Sequence, residues 1–255
     1  NIELIIFCLL YVSIVNKNIF LKSIIFLLSV IFKIFPIFSI FLFINKKKYF
    51  FLILFISILY FYFFRNEILI MRSNMIEYAL IFAYGIGSIS KAIYYYSMKF
   101  GYFINDNNYF SFRNLMILSA CIYAILVFSI KFKLNTNIKK NKIELFEKFF
   151  LVGAGIYIGT FCTSANIDYR LIFLTFTIPF ILEKSNKNLS ILYFTSLVLC
   201  FNSLVLEGGN SYTLIYFIKA SIIYLLKFII FTINCYYFGE ILNKYINIKF
   251  LNFKN

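Results

Sequence analysis

Histidine and tryptophan are absent from this chain of 255 residues, proline occurs only twice, and ten acidic residues face 25 lysines and arginines. Without histidine there is no imidazole to act as a general base, and no His-ligated metal. The five cysteines (Cys8, Cys121, Cys162, Cys200, Cys235) are scattered through apolar runs with no C-x-x-C spacing. That pattern reads as small buried thiols, not as a metal or disulfide framework, so neither a metal nor another cofactor is expected. No Pro/Gly linker, low-complexity tract or repeat divides the chain, and residues 1–255 read as one transmembrane domain. The first residue, Asn1, already lies in an apolar run with no charged n-region or cleavage site before it. This is the pattern of the downstream, C-terminal part of a longer protein, not of a signal peptide.

What the chain has in excess is apolar surface. Hydrophobic residues make up 62% and charged residues 14%, with a mean hydropathy of +0.87; an average soluble domain has roughly 45–50% and about 25%. One globular core could not hide that surface, so much of it must face lipid. The expected fold is an all-α polytopic transmembrane bundle. Apolar runs at 2–15, 20–44, 49–64, 112–130, 149–166, 168–182, 189–206 and 213–238 give about seven or eight membrane segments, counting one short helical hairpin. Segment 65–111, with Glu67, Arg72, Glu77, Lys91, Lys99 and Asp106, is more polar. Its middle, 75–100, is expected to lie on the membrane surface as an amphipathic helix, because its charges are costly in lipid.

Loop charge then sets orientation, since lysine and arginine are enriched in cytoplasmic loops. Lys17/Lys22, Lys46–Lys48, Lys131 to Lys148, Lys184/Lys187 and the tail lysines can all lie inside if run 20–44 goes in and comes back out. Pro36 breaks that run within "IFKIFPIF", Ile31 to Phe38, so Lys33 and Pro36 fall at the tip of a hairpin. All four arginines (Arg65, Arg72, Arg113, Arg170) and both aspartates (Asp106, Asp168) then lie on the outer side. The net charge of +15 follows from interfacial lysines, and nucleic acid is not an expected partner.

The chemically informative positions are therefore outer ones. In "NIDYRLIFLTFTIPFIL", Asn166 to Leu182, the apolar stretch is short for an α-helix that must cross roughly 30 Å at about 1.5 Å per residue. Its start is expected to be recessed in a cavity, with Asn166 or Asp168 as N-cap and Arg170 in the first turn. A guanidinium there suits a phosphate, because the free N–H groups of the helix start also favour an anion. The alternative is that Asp168 and Arg170 simply pair and fix the helix end. Lys33 likewise either meets a lipid phosphate or snorkels to the interface. Lys227, near the middle of the last run, should face a partner or a cavity. Gly153, Gly155 and Gly159 include one G-x-x-x-G, which suits close helix packing.

"LSVIFKIFPIFSIFLFINKKK" (Leu28 to Lys48) combines an apolar helix, Lys-x-x-Pro, a second apolar helix and a basic turn. It resembles a segment of bacterial polytopic glycosyltransferases of family 87 and related enzymes of the GT-C superfamily. "NIELIIF" at the start is similar to the span that precedes that segment, and Asn166 to Leu182 resembles a downstream one. The resemblance implies an enzyme of the bacterial inner (plasma) membrane. Such an enzyme moves a sugar from a polyprenyl-phosphate donor to a glycan or lipid acceptor on the non-cytoplasmic side. It implies donor-phosphate contacts at Lys33 and Arg170, and an outer cavity could add Arg72 or Arg113. The usual base of such enzymes lies in a loop upstream of Asn1, which leaves Asp168 as the fallback here. Two rival readings are a transporter or flippase of an anionic lipid-linked substrate, using Lys219 and Lys227, and an O-antigen-type polymerase or ligase.

Overall fold

The computed structural model describes residues 2–67, 83–99, 106–132, 144–163, 166–202 and 214–250. The described residues are helical apart from short turns and one two-residue antiparallel ladder. In chain order the elements are α1 (Ile2–Val15), α2 (Ile19–Phe32), the 3-10 segment η1 (Phe35–Phe43), α3 (Lys47–Phe63), β1 (Ala83–Tyr84), α4 (Ile86–Lys99) and α5 (Asp106–Phe132). They continue with α6 (Leu145–Thr163), β2 (Asn166–Ile167), the 3-10 segment η2 (Asp168–Thr177), α7 (Ile178–Lys184), α8 (Lys187–Phe201) and α9 (Leu214–Phe250). Among the described residues, three helical stretches are long and apolar enough to cross a membrane: Asn108–Ile130, Leu145–Thr163 and Ile218–Tyr245. The fold is thus all-α and suited to a membrane.

Local chemistry sets the helix ends. Asn18 caps α2 by accepting from the N–H groups of Phe20 and Leu21, and Asn186 caps α8 by accepting from Leu189 N. At Lys33 the backbone turns extended (φ −154°, ψ 148°) and α2 stops. Pro36, without an N–H, then stands at the start of η1. The chain reverses there. Phe26, seven residues before Lys33, meets Phe43 edge-on at 5.2 Å, and the Lys22 ammonium lies 5.6 Å from the same ring. The expected hairpin is present, but its second arm is a 3-10 segment.

The second unforeseen 3-10 segment is η2, and it corrects the expectation of a short, recessed helix. Ten 3-10 residues followed by seven α residues reach about 30 Å, because a 3-10 residue rises about 2.0 Å where an α residue rises about 1.5 Å. Asp168 to Lys184 is therefore long enough to cross a hydrocarbon core, and length no longer argues for a buried start. Pro179 stands in the first turn of α7, where a missing N–H is tolerated. At the junction Thr177 Oγ1 lies 2.7 Å from Tyr193 OH, which accepts from Asn234 Nδ2 at 3.1 Å. All three side chains are buried, so this polar chain ties η2 to α8 and α9 with its groups satisfied.

Helix α6 is the centre. It is buried almost without interruption from Phe150 to Cys162, as expected of a helix apolar all round. Val152 and Ile156 face a core shared with α1, α2, η1 and η2. Phe150, Leu151, Ala154, Tyr157 and Phe161 face a second core shared with α5, α7, α8 and α9. The glycines of α6 let backbone come close. A Cβ at Gly153 would stand 2.5 Å from Phe173 O on η2, and one at Gly155 2.5 Å from Phe38 O on η1. Two residues along an α-helix turn about 200°, so the two 3-10 segments dock on opposing sides of α6 at one height.

In α4 burial changes along the helix. Ile86, Ser88, Ser90 and Ala92 are buried and only its later part exposes Ile93, Tyr95 and Met98. Its first residues pack against α5 and α6, and β1 pairs with β2 through Ala83–Ile167 and Tyr84–Asn166. Residues 75–82 and 100, the rest of the expected surface stretch, lie outside the described residues.

The glycine contacts make a direct prediction. Gly155→Ala must displace a backbone carbonyl and should cost about 1–3 kcal/mol, seen as a melting temperature roughly 3–10 °C lower in detergent. An unchanged melting temperature would show that η1 does not dock on α6 as described.

Candidate functional site

Three distant parts of the chain meet at one end of the bundle. Glu3 lies in the first turn of α1, Lys33 and Phe35 flank the break between α2 and η1, and Arg170 lies in the first turn of η2. Lys33 Nζ donates to Glu3 Oε1 in a closely held ion pair; the Glu3 side chain is 8% exposed and that of Lys33 28%. The Arg170 guanidinium carbon sits 5.1 Å from the centroid of the Phe35 ring, within cation–π range. Phe35 in turn meets Phe173 edge-on at 5.2 Å. Lys33, paired with Glu3, thus lies two residues before the ring that meets Arg170, a residue 137 positions further along the sequence.

The carboxylate partner of Lys33 is Glu3, which nothing local in the sequence marks. The available signal was a lone acid in an apolar run, which needs a cation somewhere. The other candidates fall elsewhere. Arg113 is 9% exposed and shares the buried stripe Tyr109, Ala120, Ala124 and Val127 of α5. That helix packs against α4, α6 and α9. Asp168 opens η2, not an α-helix, but its side chain and all of Arg72 lie outside the described residues. Lys227 is fully buried on α9 with its ammonium 5.8 Å from the Tyr224 ring, in keeping with an inward-facing position.

The opposite end of the bundle is rich in lysine. Glu147 at the start of α6 is buried and accepts from Lys244 Nζ at 2.5 Å, from Tyr245 OH, and from Glu144 N at 3.0 Å. Lys184 lies 3.0 Å from Glu183 and 3.9 Å from Glu144. Arginine 170 and this lysine group are thus at opposite ends of the elements η2 and α7. Among the described residues no group of three His, Cys, Asp or Glu side chains could hold a metal ion.

The arrangement can bind an anion. Arg170, oriented by a ring face, offers paired N–H donors suited to phosphate oxygens, and Lys33 supplies a point charge that Glu3 holds in place. Breaking the pair on one side should be costly, because a charge stays partly buried. Glu3→Gln or Lys33→Met alone is expected to destabilise the protein by about 1–2 kcal/mol, discounted for the exposure of the lysine. The double variant should lose less than the sum of the two. Additive losses would mean that the ion pair does not hold α1 to the hairpin.

Comparison with protein-family models, with curated proteins and with solved structures found no match.

Proposed function

We propose that this chain is a multi-pass protein of the bacterial inner membrane, with seven or eight membrane segments. It acts as a GT-C-like glycosyltransferase, passing a sugar from a polyprenyl-phosphate donor to a glycan or lipid acceptor on the non-cytoplasmic side. The supporting observation is that Arg170 lies against the ring of Phe35, two residues after the Glu3-paired Lys33, at the end opposite the lysine-rich loops. By the loop-charge rule, that end is the non-cytoplasmic one.

The chemistry asks for what this end offers. The acceptor hydroxyl attacks the anomeric carbon, its proton passes to a carboxylate, and the bond from carbon to the phosphate oxygen breaks. Charge then builds on the departing polyprenyl phosphate, where fixed cations count most. Arg170 and Lys33 carry that role, and Asp168, two residues before Arg170, is the candidate for the carboxylate. The transporter or flippase reading draws on the fully buried Lys227, a charge that could line a path. An O-antigen-type polymerase or ligase would share the outer arginines.

Full-length protein in proteoliposomes, supplied with polyprenyl-phosphate sugars, tests the reading. Sugar transfer should fall about 100-fold or more in Lys33→Ala and Arg170→Ala, the range seen when a transition-state charge partner is removed, and should persist in Lys46→Ala. Movement of the lipid-linked donor across the bilayer without transfer would favour the transporter.

A further inference from the structure

Lys22 and Lys148, at the lysine-rich end, take no part in the chemistry proposed for the other end. Lys22 stands in the first turn of α2 with only 6% of its surface exposed, and its ammonium lies 5.6 Å from the Phe43 ring. Lys148, in the first turn of α6 and half-buried, adjoins Phe149, whose ring meets Tyr11 of α1 at 5.6 Å, and Ser13 of α1 donates to the Lys22 carbonyl at 3.2 Å, so both helix starts sit against the end of α1. Among the described residues neither lysine forms an ion pair. The nearby acids are engaged elsewhere, Glu147 with Lys244 and Tyr245, and Glu144 and Glu183 with Lys184. Two unpaired cations at adjoining helix starts, one of them largely desolvated, are unfavourable unless an anion joins them.

The surroundings indicate where such an anion comes from. Beside Lys22 on α2, Phe20 is 64% exposed, Leu21 45% and Ile24 39%, an apolar face with acyl chains as its natural neighbour. Exposed Lys17, Lys46, Lys47 and Lys48 surround the same end and would raise the local concentration of anionic headgroups. We propose that Lys22 and Lys148, with Phe43 bracing the Lys22 ammonium, bind the phosphate of an anionic phospholipid in the leaflet on the lysine-rich side. The bound headgroup bridges the start of α2 to the start of α6 and so joins the hairpin to the central helix.

The probes are phosphatidylglycerol, phosphatidylcholine and inorganic phosphate, titrated onto the full chain in detergent with bound lipid counted by native mass spectrometry. One phosphatidylglycerol should be retained more tightly than phosphatidylcholine. Its affinity should fall about tenfold in Lys22→Met and in Lys148→Met, the value of one charge-assisted contact. It should hold in Lys22→Arg and in the triple variant Lys46→Met/Lys47→Met/Lys48→Met. The half-buried Lys148 allows the test even where Lys22→Met does not fold. Equal retention of the two lipids, an equal loss in the triple variant, or displacement of the lipid by an equal concentration of inorganic phosphate would overturn the assignment.

Discussion

The carbonyl oxygens of Phe38 and Phe173 occupy space that a side chain at Gly155 or Gly153 would fill. Between lipid-facing helices there is little hydrophobic driving force, so association rests on close packing of this kind. The two contacts fix the height at which η1 and η2 lie along α6. One 3-10 turn is three residues, and side chains three apart stack over one another. Phe35 is one such turn from Phe38, and Arg170 is one such turn from Phe173. The ring and the guanidinium meet because both segments are docked at the same level and counted up by the same step.

The buried carboxylates among the described residues are answered by cations. With ten acids for 25 basic residues, a buried carboxylate in this chain has ready partners. Glu3 takes Lys33 at one end, and Glu147 takes Lys244 and Tyr245 at the other. These pairs close the bundle: the first holds α1 to the tip of the hairpin, the second holds the end of α9 to the start of α6. Between them the polar groups of the interior are mostly hydroxyls and amides bonded to carbonyls or to one another, as in the chain from Thr177 through Tyr193 to Asn234. Such groups can be satisfied without water, which a hydrocarbon setting demands.

Much of this was visible in the residues. The apolar runs mark the helices closely: run 2–15 is α1, and run 20–44 is α2 plus η1, broken at Lys33 and Pro36 as expected. What could not be read is the helix type. Over nine or ten apolar residues a repeat of 3.0 and one of 3.6 differ by less than a full turn of pattern, and "FPIFSIFLF" suits either. That single ambiguity produced the wrong length for Asp168 to Lys184. The pairing of Glu3 with Lys33 spans 30 positions, and no local rule links them. Gly153, Gly155 and Gly159 mark a packing face but not the two backbone segments that dock on it, because spacing on one helix says nothing about what approaches it.

Under the proposed reading, charge at the site shifts as the reaction proceeds. Lys33 and Arg170 set two cations against the carboxylates of Glu3 and Asp168. A sugar on a polyprenyl monophosphate is a phosphodiester with one negative charge. As the acceptor's proton passes to Asp168 and the sugar leaves, the phosphate gains a second charge, which a cation that turns toward it stabilises. Lys33 is the group able to turn, since its partially exposed ammonium can shift from the Glu3 carboxylate toward the departing oxygen, while Arg170 is held by the ring. An interaction that strengthens as the bond breaks is the kind that accelerates transfer instead of merely tightening binding. On this account the ion pair with Glu3 stores the second cation in the resting protein and releases it as the reaction proceeds.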